Sequence, residues 1–427
     1  MPVVDEYCHE YRDIFPEVRS YEYFKYLHMG ILGTAGRKSL PELAKTVGLG
    51  SSQPLHHFWT NSPWSMLEVR QQRLDRTRSL VKGRKLFLLL DETGDRKKGK
   101  TTDYVARQYL GSVGKVDQGI VSVNAYGICE GITFPLSFKT FKPKQRLKEG
   151  DTYKTKMELA SELVTELVEQ GFEFELVLGD SAYGESSGFI QTLEREGLSW
   201  LLSIRSDHGV WMLEGEKIRM NKWCKFEREF SDGKSEERYI REVVYGKRGW
   251  RTYWQLTTNT ETMPENSTSF VMTNLKCKPS ELKKTIGNLY GLRTWVEYGF
   301  RQCKQELGWT SYRLTSCQDI ERWWEIVMSA YLLVSVQAYR KKVSQKEISE
   351  STTVREGGAD YRPSHAYWND GSGWKSMLGN LRLLIQPLVL LLLVFPWLSE
   401  FPNRGLLLGF HELIANVNRA SMYFLHG

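Results

Sequence analysis

Four polar residues in the second half of the chain have the spacing of one face of a helix. They are Tyr290, Arg293, Glu297 and Lys304, within the stretch YGLRTWVEYGFRQCK. Because an α-helix turns by about 100° per residue, this spacing keeps all four side chains on one narrow stripe. Burying a carboxylate, two cations and a phenol there would be costly. The stripe is therefore predicted to hold a metal ion and to bind phosphates.

Two aspartates follow apolar runs that have the length of buried strands. LFLLL ends at Asp91, and FELVLG ends at Asp180. The pattern of strands and helices predicts an open α/β sheet, in which chemistry lies outside the ends of neighbouring strands. If the strands before Asp91 and Asp180 are neighbours, their carboxylates come together. With Glu297 on a later helix, these oxygen ligands predict two Mg²⁺ or Mn²⁺ ions, which serve phosphodiester chemistry.

The composition is that of a folded protein with a polyanionic partner. The chain has 427 residues, of which 41% are hydrophobic and 26% charged, and its net charge is +7. This length allows two or three domains. Basic residues cluster at 96–100 and 139–148, which favours nucleic acid, although solvated loops explain either cluster alone equally well. The six scattered cysteines lack zinc-site spacing and indicate reduced thiols in a cytoplasmic protein.

The N-terminal region has a helical pattern that is rich in aromatic residues. Ser39 and Glu42 have capping-box spacing before a short helix that ends at Gly48. A second short helix, SQPLHHFW, follows the turn. This arrangement is typical of a DNA-reading helix-turn-helix, and equally of any small helical bundle. The polar side chains that would read DNA from the second helix are Gln53, His56 and His57.

The pattern changes along the chain predict five divisions. They are a helical DNA-binding domain (1–80), two parts of a catalytic core (81–207 and 275–343), an antiparallel β insertion (208–274) and a linker with a C-terminal helical region (344–427). The insertion interleaves aromatic residues with cations, which can stack on a nucleic acid or form ordinary cross-strand pairs.

One apolar stretch, Leu383–Leu398, has to be weighed as a membrane span. It has 16 residues and contains Gln386, and Pro387 and Pro396 are predicted to break it. A membrane-spanning helix usually needs about 18 or more uninterrupted apolar residues. The stretch is therefore predicted to be a buried helix or a dimer-forming surface.

The spacing of Tyr290, Arg293, Glu297 and Lys304 resembles the Tyr-Arg-Glu-Lys signature of DDE transposases of bacterial insertion sequences, in the branch with a β insertion before the catalytic glutamate. DETGDRKKGK with ARQYLGSVGK, and GDSAYG, are similar to the first-aspartate and second-aspartate regions of one subgroup. The resemblance covers residue 85 to about residue 333 well. It implies an α/β fold with an RNase H-like mixed sheet flanked by helices, an antiparallel β insertion and a helical N-terminal domain.

The resemblance also implies roles for individual residues. Asp91, Asp180 and Glu297 would be catalytic and would bind two Mg²⁺ or Mn²⁺ ions. Relatives often have two aspartates where this chain has Asp91 and Glu92; Asp91 is preferred because it matches in type, while Glu92 points to the opposite face. The implied DNA-binding residues are Tyr290, Arg293, Lys304, Lys97, Lys98, Lys100, Arg107 and Lys115.

A member of that family is expected to bind double-stranded DNA, namely the terminal inverted repeats of its element and the target. It would cleave each end and join the freed 3′-ends to the target, a reaction that implies at least a homodimer in the active complex. No membrane partner is expected. Two alternatives stay open: an RNase H-like endonuclease that does not transpose, and a catalytically inactive DNA-binding protein derived from a transposase. The intact acids Asp91, Asp180 and Glu297 argue against the second.

Overall fold

The computed structural model describes residues 1–34, 36–99, 101–111, 113–229, 235–275, 286, 288, 291–292, 294–351, 371 and 373–426. The chain divides into two compact units. The helical unit contains Met1–Leu80, Ile132–Pro135 and Arg301–Gly427. The sheet unit contains Val81–Gly131 and Leu136–Phe300.

The helices carry labels in chain order. They are α1 (Pro2–His9), α2 (Val18–Gly33), α3 (Leu40–Thr46), α4 (Gln53–Thr60), α5 (Met66–Leu80), α6 (Lys156–Glu169), α7 (Ser181–Gly184), α8 (Ser187–Arg195), α9 (Thr294–Arg301), α10 (Cys317–Ser351), α11 (Trp374–Glu400) and α12 (Arg404–His426). The helices predicted from the N-terminal pattern are present. The predicted capping box at α3 is not, because the Ser39 side chain makes no capping hydrogen bond.

Aromatic side chains fill the core of the helical unit. Phe58 stacks on Trp64 with ring centroids 5.0 Å apart, and Trp59 of α4 meets Trp323 of α10 at 5.4 Å. All four rings are buried or nearly so. Aromatic pairs of this kind bury large areas and fix orientation, so the aromatic richness of the N-terminal sequence reflects packing against α10.

The strands of the sheet unit form one mixed sheet. They are β1 (Leu86–Arg96), β2 (Ala106–Leu110), β3 (Lys115–Cys129), β4 (Ile132–Phe141, whose first residues belong to the helical unit), β5 (Phe174–Gly179), β6 (Trp200–Ile204), β7 (Ile218–Met220), β8 (Cys224–Glu229), β9 (Ser235–Tyr245), β10 (Thr252–Thr257) and β11 (Ser269–Thr273). The order is β2-β3-β1-β5-β6-β11-β10-β9-β7, with β4 on β3 and β8 on β9.

The centre of this sheet combines both strand directions. β1 is antiparallel to β3 and parallel to β5, and β5 is parallel to β6. The run LFLLL lies between β3 and β5, and Leu88 and Leu89 are fully buried. A strand covered on both faces reads as a continuous apolar run, which explains why this segment was predictable. The RNase H-like mixed sheet flanked by helices is confirmed.

The antiparallel β insertion is also confirmed, and it extends the central sheet. β11 pairs antiparallel with β6, for example Val271 with Ser203, and β10 and β9 follow outward. The strand β2 was not predicted. Its exposed Arg107 and Tyr109 alternate with the buried Ala106 and Leu110, but the strand has only five residues, and Gln108 interrupts the apolar positions of the sequence.

The apolar C-terminal stretch was predicted too short, since α11 continues through both Pro387 and Pro396. One face of this helix packs against α2: a Cβ atom on Gly33 would lie only 3.1 Å from Ile385 Cγ2. This packing holds the helix although each proline removes a hydrogen bond. Among the described helices, α11 alone has the length and hydropathy of a membrane span, with a mean hydropathy of 2.1 and 33% of that window buried. Length and hydropathy by themselves are weak evidence for a span.

Candidate active site

Asp91 lies inside β1, whereas the sequence analysis had predicted that the strand ends there. β1 continues to Arg96 because β3 pairs with it along this whole stretch. On the other side, β5 pairs with β1 only as far as Leu89, opposite Leu178. Asp91 therefore lies just beyond the end of the parallel pairing, and its side chain is half-buried.

Asp180 lies directly after β5 and caps α7. Its Oδ1 atom accepts a hydrogen bond from the Ala182 backbone N–H at 2.8 Å, and its own backbone is still extended (φ −82°, ψ −171°). Continuing the parallel register from Leu89 and Leu178 by two residues sets Asp91 level with Asp180. Adjacent strands are about 4.8 Å apart. The predicted neighbourhood of the two strands is therefore present.

A glycine fixes the position of the Asp180 turn. A Cβ atom on Gly184, the last residue of α7, would overlap the backbone carbonyl oxygen of Ser203 in β6. Only glycine permits such a close approach of two backbones. The short helix that follows Asp180 is thereby held against the sheet, which explains the glycine of the GDSAYG segment.

Glu92, the alternative first ligand, has a different partner. Its Oε2 atom lies 2.6 Å from Nζ of Lys156 at the start of α6. Successive side chains of a strand point to opposite faces, so Asp91 projects from the other face of the sheet. Asp91 Oδ1 accepts a hydrogen bond from the Glu92 backbone N–H at 2.7 Å.

Glu297 is an exposed residue of α9. Phe300 of the same helix packs edge-on against Tyr126 of β3, with ring centroids 5.4 Å apart. Tyr126 pairs with Leu89 in the ladder, and Leu89 shares its face of β1 with Asp91. The helix that carries Glu297 therefore packs on the face of the sheet that carries Asp91.

The described residues do not gather three metal-binding side chains. No group of three or more His, Cys, Asp and Glu residues among them is arranged to hold a metal ion. Asp91 and Asp180 are neighbours through the sheet, and Glu297 is not drawn together with them into one cluster. Two of the three predicted acids therefore follow directly on the paired segments of neighbouring strands.

The signature stripe is only partly described. Tyr290 and Arg293 lie outside the described residues. Lys304 is half-buried and lies in a π-helical turn, Gln302–Glu306, which follows α9 directly. The sequence analysis assumed one regular α-helix through Lys304. A π turn winds differently from an α-helix, so the seven-residue step from Glu297 does not keep its ideal α-helical angle.

The other predicted DNA-binding residues fall into two groups. Lys97 forms an ion pair with Asp95, with Nζ and Oδ2 2.7 Å apart. Lys98, Arg107 and Lys115 are exposed, and in the β2–β3 ladder Arg107 pairs with Gln118 and Lys115 with Leu110. Lys100 lies outside the described residues.

The second basic cluster, 139–148, is largely committed to ion pairs. Lys142 Nζ lies 2.5 Å from Asp151 Oδ1, and Lys148 Nζ lies 2.7 Å from Asp103 Oδ2. Burial alone would raise the pKa of Asp151, but hydrogen bonds from Lys142, the Lys148 backbone and Tyr104 lower that pKa to about 2. These cations bind acids of the same unit, which favours the structural interpretation of this cluster.

Sequence reasoning missed a set of polar residues beside Asp91. Asn124 pairs with Asp91, and Ser122 pairs with Thr93 across the β1–β3 ladder. Paired residues of an antiparallel ladder project from the same face. Thr93, Ser122 and Asn124 are 6%, 0% and 0% exposed. We call Asp91, Thr93, Ser122 and Asn124 the polar face. In the sequence, the alternation Ser-Val-Asn within an apolar strand could have indicated it.

In the helical unit, α3 and α4 form the predicted helix pair. Gly48 in the turn has φ +74°, a conformation that favours glycine. Gln53, His56 and His57 of α4 are all exposed. Beside them is a cavity of about 360 Å³ with a polar rim and an aromatic floor. Its lining includes Arg37, Gln53, His56, Trp59, Arg313 and Trp323.

Comparisons with known proteins found matches to two family models and to a curated relative. A family model described as DDE superfamily endonuclease matches residues 15–219, which include Asp91 and Asp180. A second, described as transposase DDE domain, matches residues 151–333, which include Asp180 and Glu297. The probable transposase for insertion sequence element IS701 of Microchaete diplosiphon is 51% identical over 319 residues. That match covers 74% of this chain and 83% of the relative.

Proposed function

The chain belongs to the DDE transposases, and on that premise we propose that it moves an insertion sequence by cut-and-paste transposition. It would bind the terminal inverted repeats of the element, hydrolyse the phosphodiester at each end and join the freed 3′-ends to target DNA, in the bacterial cytoplasm. One observation carries the proposal. The last paired residues of β1 and β5, Leu89 and Leu178, each lie two residues before one of the acids, Asp91 and Asp180, and neighbouring carboxylates would suit hard divalent cations.

We propose Asp91, Asp180 and Glu297 as the ligands of two Mg²⁺ or Mn²⁺ ions. All three donors are carboxylate oxygens, a set that suits these ions better than zinc. When bound, such a pair activates the attacking water or 3′-hydroxyl and stabilises the leaving oxygen. The contribution of the chain is to hold the oxygens in place. The Ala182 N–H orients Asp180, and the Glu92 N–H together with the strand ladder orients Asp91.

Glu297 would complete this site when DNA and cations are bound. The contact of Phe300 with Tyr126 supports this role because it holds α9 on the face that carries Asp91. The exposure of Glu297 is consistent with a ligand that is recruited by its substrate. Positive charge brought between carboxylates removes their mutual repulsion, and this attraction would draw Glu297 toward the two aspartates.

The grip on DNA would come from the basic and aromatic residues of the signature and of the β2–β3 region. Phosphate contacts position a protein on DNA and make its affinity depend on salt. Exposure of Lys98, Arg107 and Lys115 supports their assignment. The full proposed set is Tyr290, Arg293, Lys304, Lys97, Lys98, Lys100, Arg107 and Lys115.

Recognition of the inverted repeat is proposed for α4 of the helical unit. Its exposed Gln53, His56 and His57 are suited to hydrogen bonds with base edges. The cations on the rim of the adjacent cavity, Arg37 and Arg313, favour contact with phosphates.

A homodimer is proposed because two element ends have to be cleaved and joined together. The C-terminal helices supply an apolar surface suited to it. Its large exposed side chains are Leu390, Leu393, Phe395, Trp397, Phe401, Leu406, Leu408 and Leu413. Contiguous exposed apolar patches mark association surfaces. A Phe401→Glu variant should elute as a smaller species in size-exclusion chromatography with light scattering, and unchanged mass would reject this surface.

The central test uses DNA with the sequence of the terminal repeats, which is read from the DNA that flanks the gene. With Mg²⁺, the Glu297→Gln variant should bind this DNA like the wild type and cleave it at least about 1,000-fold more slowly. Glu214→Gln, at an exposed loop position, is the matched control and should cleave normally. Normal cleavage by Glu297→Gln would remove this residue from the site, and loss of binding together with cleavage would indicate misfolding.

The same assay separates the two alternatives. A plain RNase H-like endonuclease would cut DNA without joining the 3′-ends to a target plasmid, so the absence of strand-transfer products would favour it. An inactive DNA-binding descendant would bind the repeats and leave them uncut at every Mg²⁺ or Mn²⁺ concentration.

A further inference from the structure

The amide of Asn124 is only half satisfied in a fully buried position. Its Nδ2 atom donates hydrogen bonds to the backbone oxygen and to the Oγ atom of Ser122, both at 2.9 Å. Its Oδ1 atom is buried and has no hydrogen-bond partner among the residues that the structure describes. Leaving a buried acceptor without a partner destabilises the folded state. A strand that were merely structural would be more stable with an aliphatic residue here.

The location of this orphaned oxygen is the second observation. Asn124 lies directly opposite Asp91 in the β1–β3 ladder, so their Cβ atoms are about 5 Å apart and their side chains share one face. The two hydrogen bonds that Asn124 Nδ2 donates to Ser122 fix the plane of the amide, and they turn its carbonyl oxygen away from Ser122. An orphaned carbonyl oxygen beside a carboxylate gathers negative potential, which a cation or a polarised water relieves.

From these two observations we infer that Asn124 Oδ1 is a further ligand of the divalent cation held by Asp91. Amide oxygens are among the ligands of Mg²⁺ and related hard cations. Because the two short side chains stand on opposed Cβ atoms about 5 Å apart, the carboxylate of Asp91 and the amide oxygen of Asn124 would be able to hold one ion together. The inference rests on the proposed function, because that function supplies the cation at Asp91.

Ser122 has a positioning role in this arrangement. By accepting both Nδ2 hydrogen bonds it settles which end of the amide is the oxygen and where that oxygen points. The outer partners that orient a ligand in this way tune the affinity of a metal site. The alternation of Ser122 and Asn124 in an otherwise apolar strand is thereby explained.

The test measures the affinity of the full-length protein for Mn²⁺ in the absence of DNA. Electron paramagnetic resonance detects the free ion during the titration. Asn124→Leu keeps the approximate shape and removes the oxygen, and it should weaken Mn²⁺ binding about tenfold. Asn124→Asp adds a carboxylate, and it should tighten Mn²⁺ binding about fivefold or more. Thr192→Val, at a buried threonine of α8, is the control and should bind like the wild type.

The opposite responses of the two Asn124 variants separate a ligand from a structural residue, whose loss would not tighten binding. Unchanged Mn²⁺ affinity in Asn124→Asp would overturn the inference, even if Asn124→Leu fails to fold. Asp91→Asn is the reference for the site itself. If Asp91→Asn abolishes binding and the Asn124 variants change nothing, only this inference fails; if Asp91→Asn also binds normally, the proposed cation site fails.

Discussion

Two regions of the molecule bury polar side chains, and they treat them differently. In the helical unit, Arg73 and Glu325 are both 0% exposed, and Arg73 Nε lies 2.5 Å from Glu325 Oε1. Arg70 adds a second ion pair to Glu325 at 2.9 Å, and Arg73 also donates to the Pro135 carbonyl oxygen. Each of these two buried charges has a partner of the opposite sign within the same unit.

The polar face of the sheet unit lacks this completeness. Asn124 Oδ1 has no hydrogen-bond partner among the described residues, and it lies opposite the carboxylate of Asp91. A buried polar group that is satisfied internally stabilises one conformation, whereas one left unsatisfied beside an acid is available to a ligand. At these two places, hydrogen-bond satisfaction distinguishes the structural network from the proposed cation ligand, although both are buried. It also predicts which substitutions affect stability and which affect chemistry.

The largest effect is expected from Asp91→Asn on the polar face. Loss of a metal-ligating carboxylate should slow end cleavage about 10⁴-fold, or about 5 kcal/mol of activation free energy. The free energy of unfolding should change little, since a half-buried amide replaces the carboxylate. Glu92→Gln is the neighbouring control and removes only the ion pair with Lys156. Cleavage rates and denaturant unfolding check both. Equal losses of cleavage in the two variants would break the distinction between the two faces.

The next largest effect belongs to the satisfied network of the helical unit. Glu325→Ala leaves Arg73 buried without its counter-charge, so the free energy of unfolding should fall by about 3–5 kcal/mol. The exposed Glu42→Ala change should cost less than about 0.5 kcal/mol. Urea unfolding followed by circular dichroism measures both. If the Glu325→Ala protein were as stable as the wild type yet failed to cleave DNA, this network would serve function and not stability.

The sequence predicted the elements whose signals are local. LFLLL and FELVLG read as buried strands because covered strands are apolar throughout, and their adjacency followed from the helical crossover. The local sequence pattern was a wrong guide where tertiary pairing or packing decides the structure. Asp91 looked like a strand end because the apolar run stops there, but β3 continues the ladder to Arg96. Likewise, packing on α2 keeps α11 helical through Pro387 and Pro396.

The candidate site was predictable to the same degree. Asp91 and Asp180 were found from strand ends, and Glu297 from a spaced signature that resembles a known family. Asn124 was not found, because its meaning depends on which residue stands opposite it, and cross-strand register is not readable from a single sequence. The partners of Glu92 and Lys97 are also non-local or depend on strand orientation.

A third prediction concerns another buried polar group of the helical unit, His28, and uses the pH dependence of stability. Burial lowers the pKa of His28 to about 4, although its hydrogen bond to the Phe24 carbonyl oxygen raises it. The neutral ring accepts from Ser329 Oγ at Nε2, 2.8 Å away. Below about pH 6.5 the His28 ring of the unfolded chain binds a proton, whereas that of the folded chain does so only below about pH 4. Stability should therefore fall as the pH drops through this window.

The size of that fall follows from the shift. A difference of about 2.5 pKa units corresponds to about 3 kcal/mol at most. In His28→Gln this part of the pH dependence should vanish, while the contribution of carboxylates stays. Urea unfolding at pH 7, 5.5 and 4 in both proteins gives the difference. If the free energies of unfolding of the two proteins depended on pH in the same way, protonation of His28 would not be coupled to unfolding.

The smallest effect extends the comparison from buried groups to surface cations. Lys98 and Arg107 are exposed, whereas Lys142 binds Asp151. A cation that contacts a phosphate releases about 0.9 counterion on binding. Lys98→Ala and Arg107→Ala should each reduce the slope of log affinity against log salt by about 0.9, and Lys142→Ala should leave it nearly unchanged. Fluorescence anisotropy with end-repeat DNA between about 50 and 200 mM salt measures this. If Lys142→Ala reduced the slope as much as Lys98→Ala, then partnership within the fold would not decide which cations meet DNA, because an ion pair that opens on binding contributes the same counterion release.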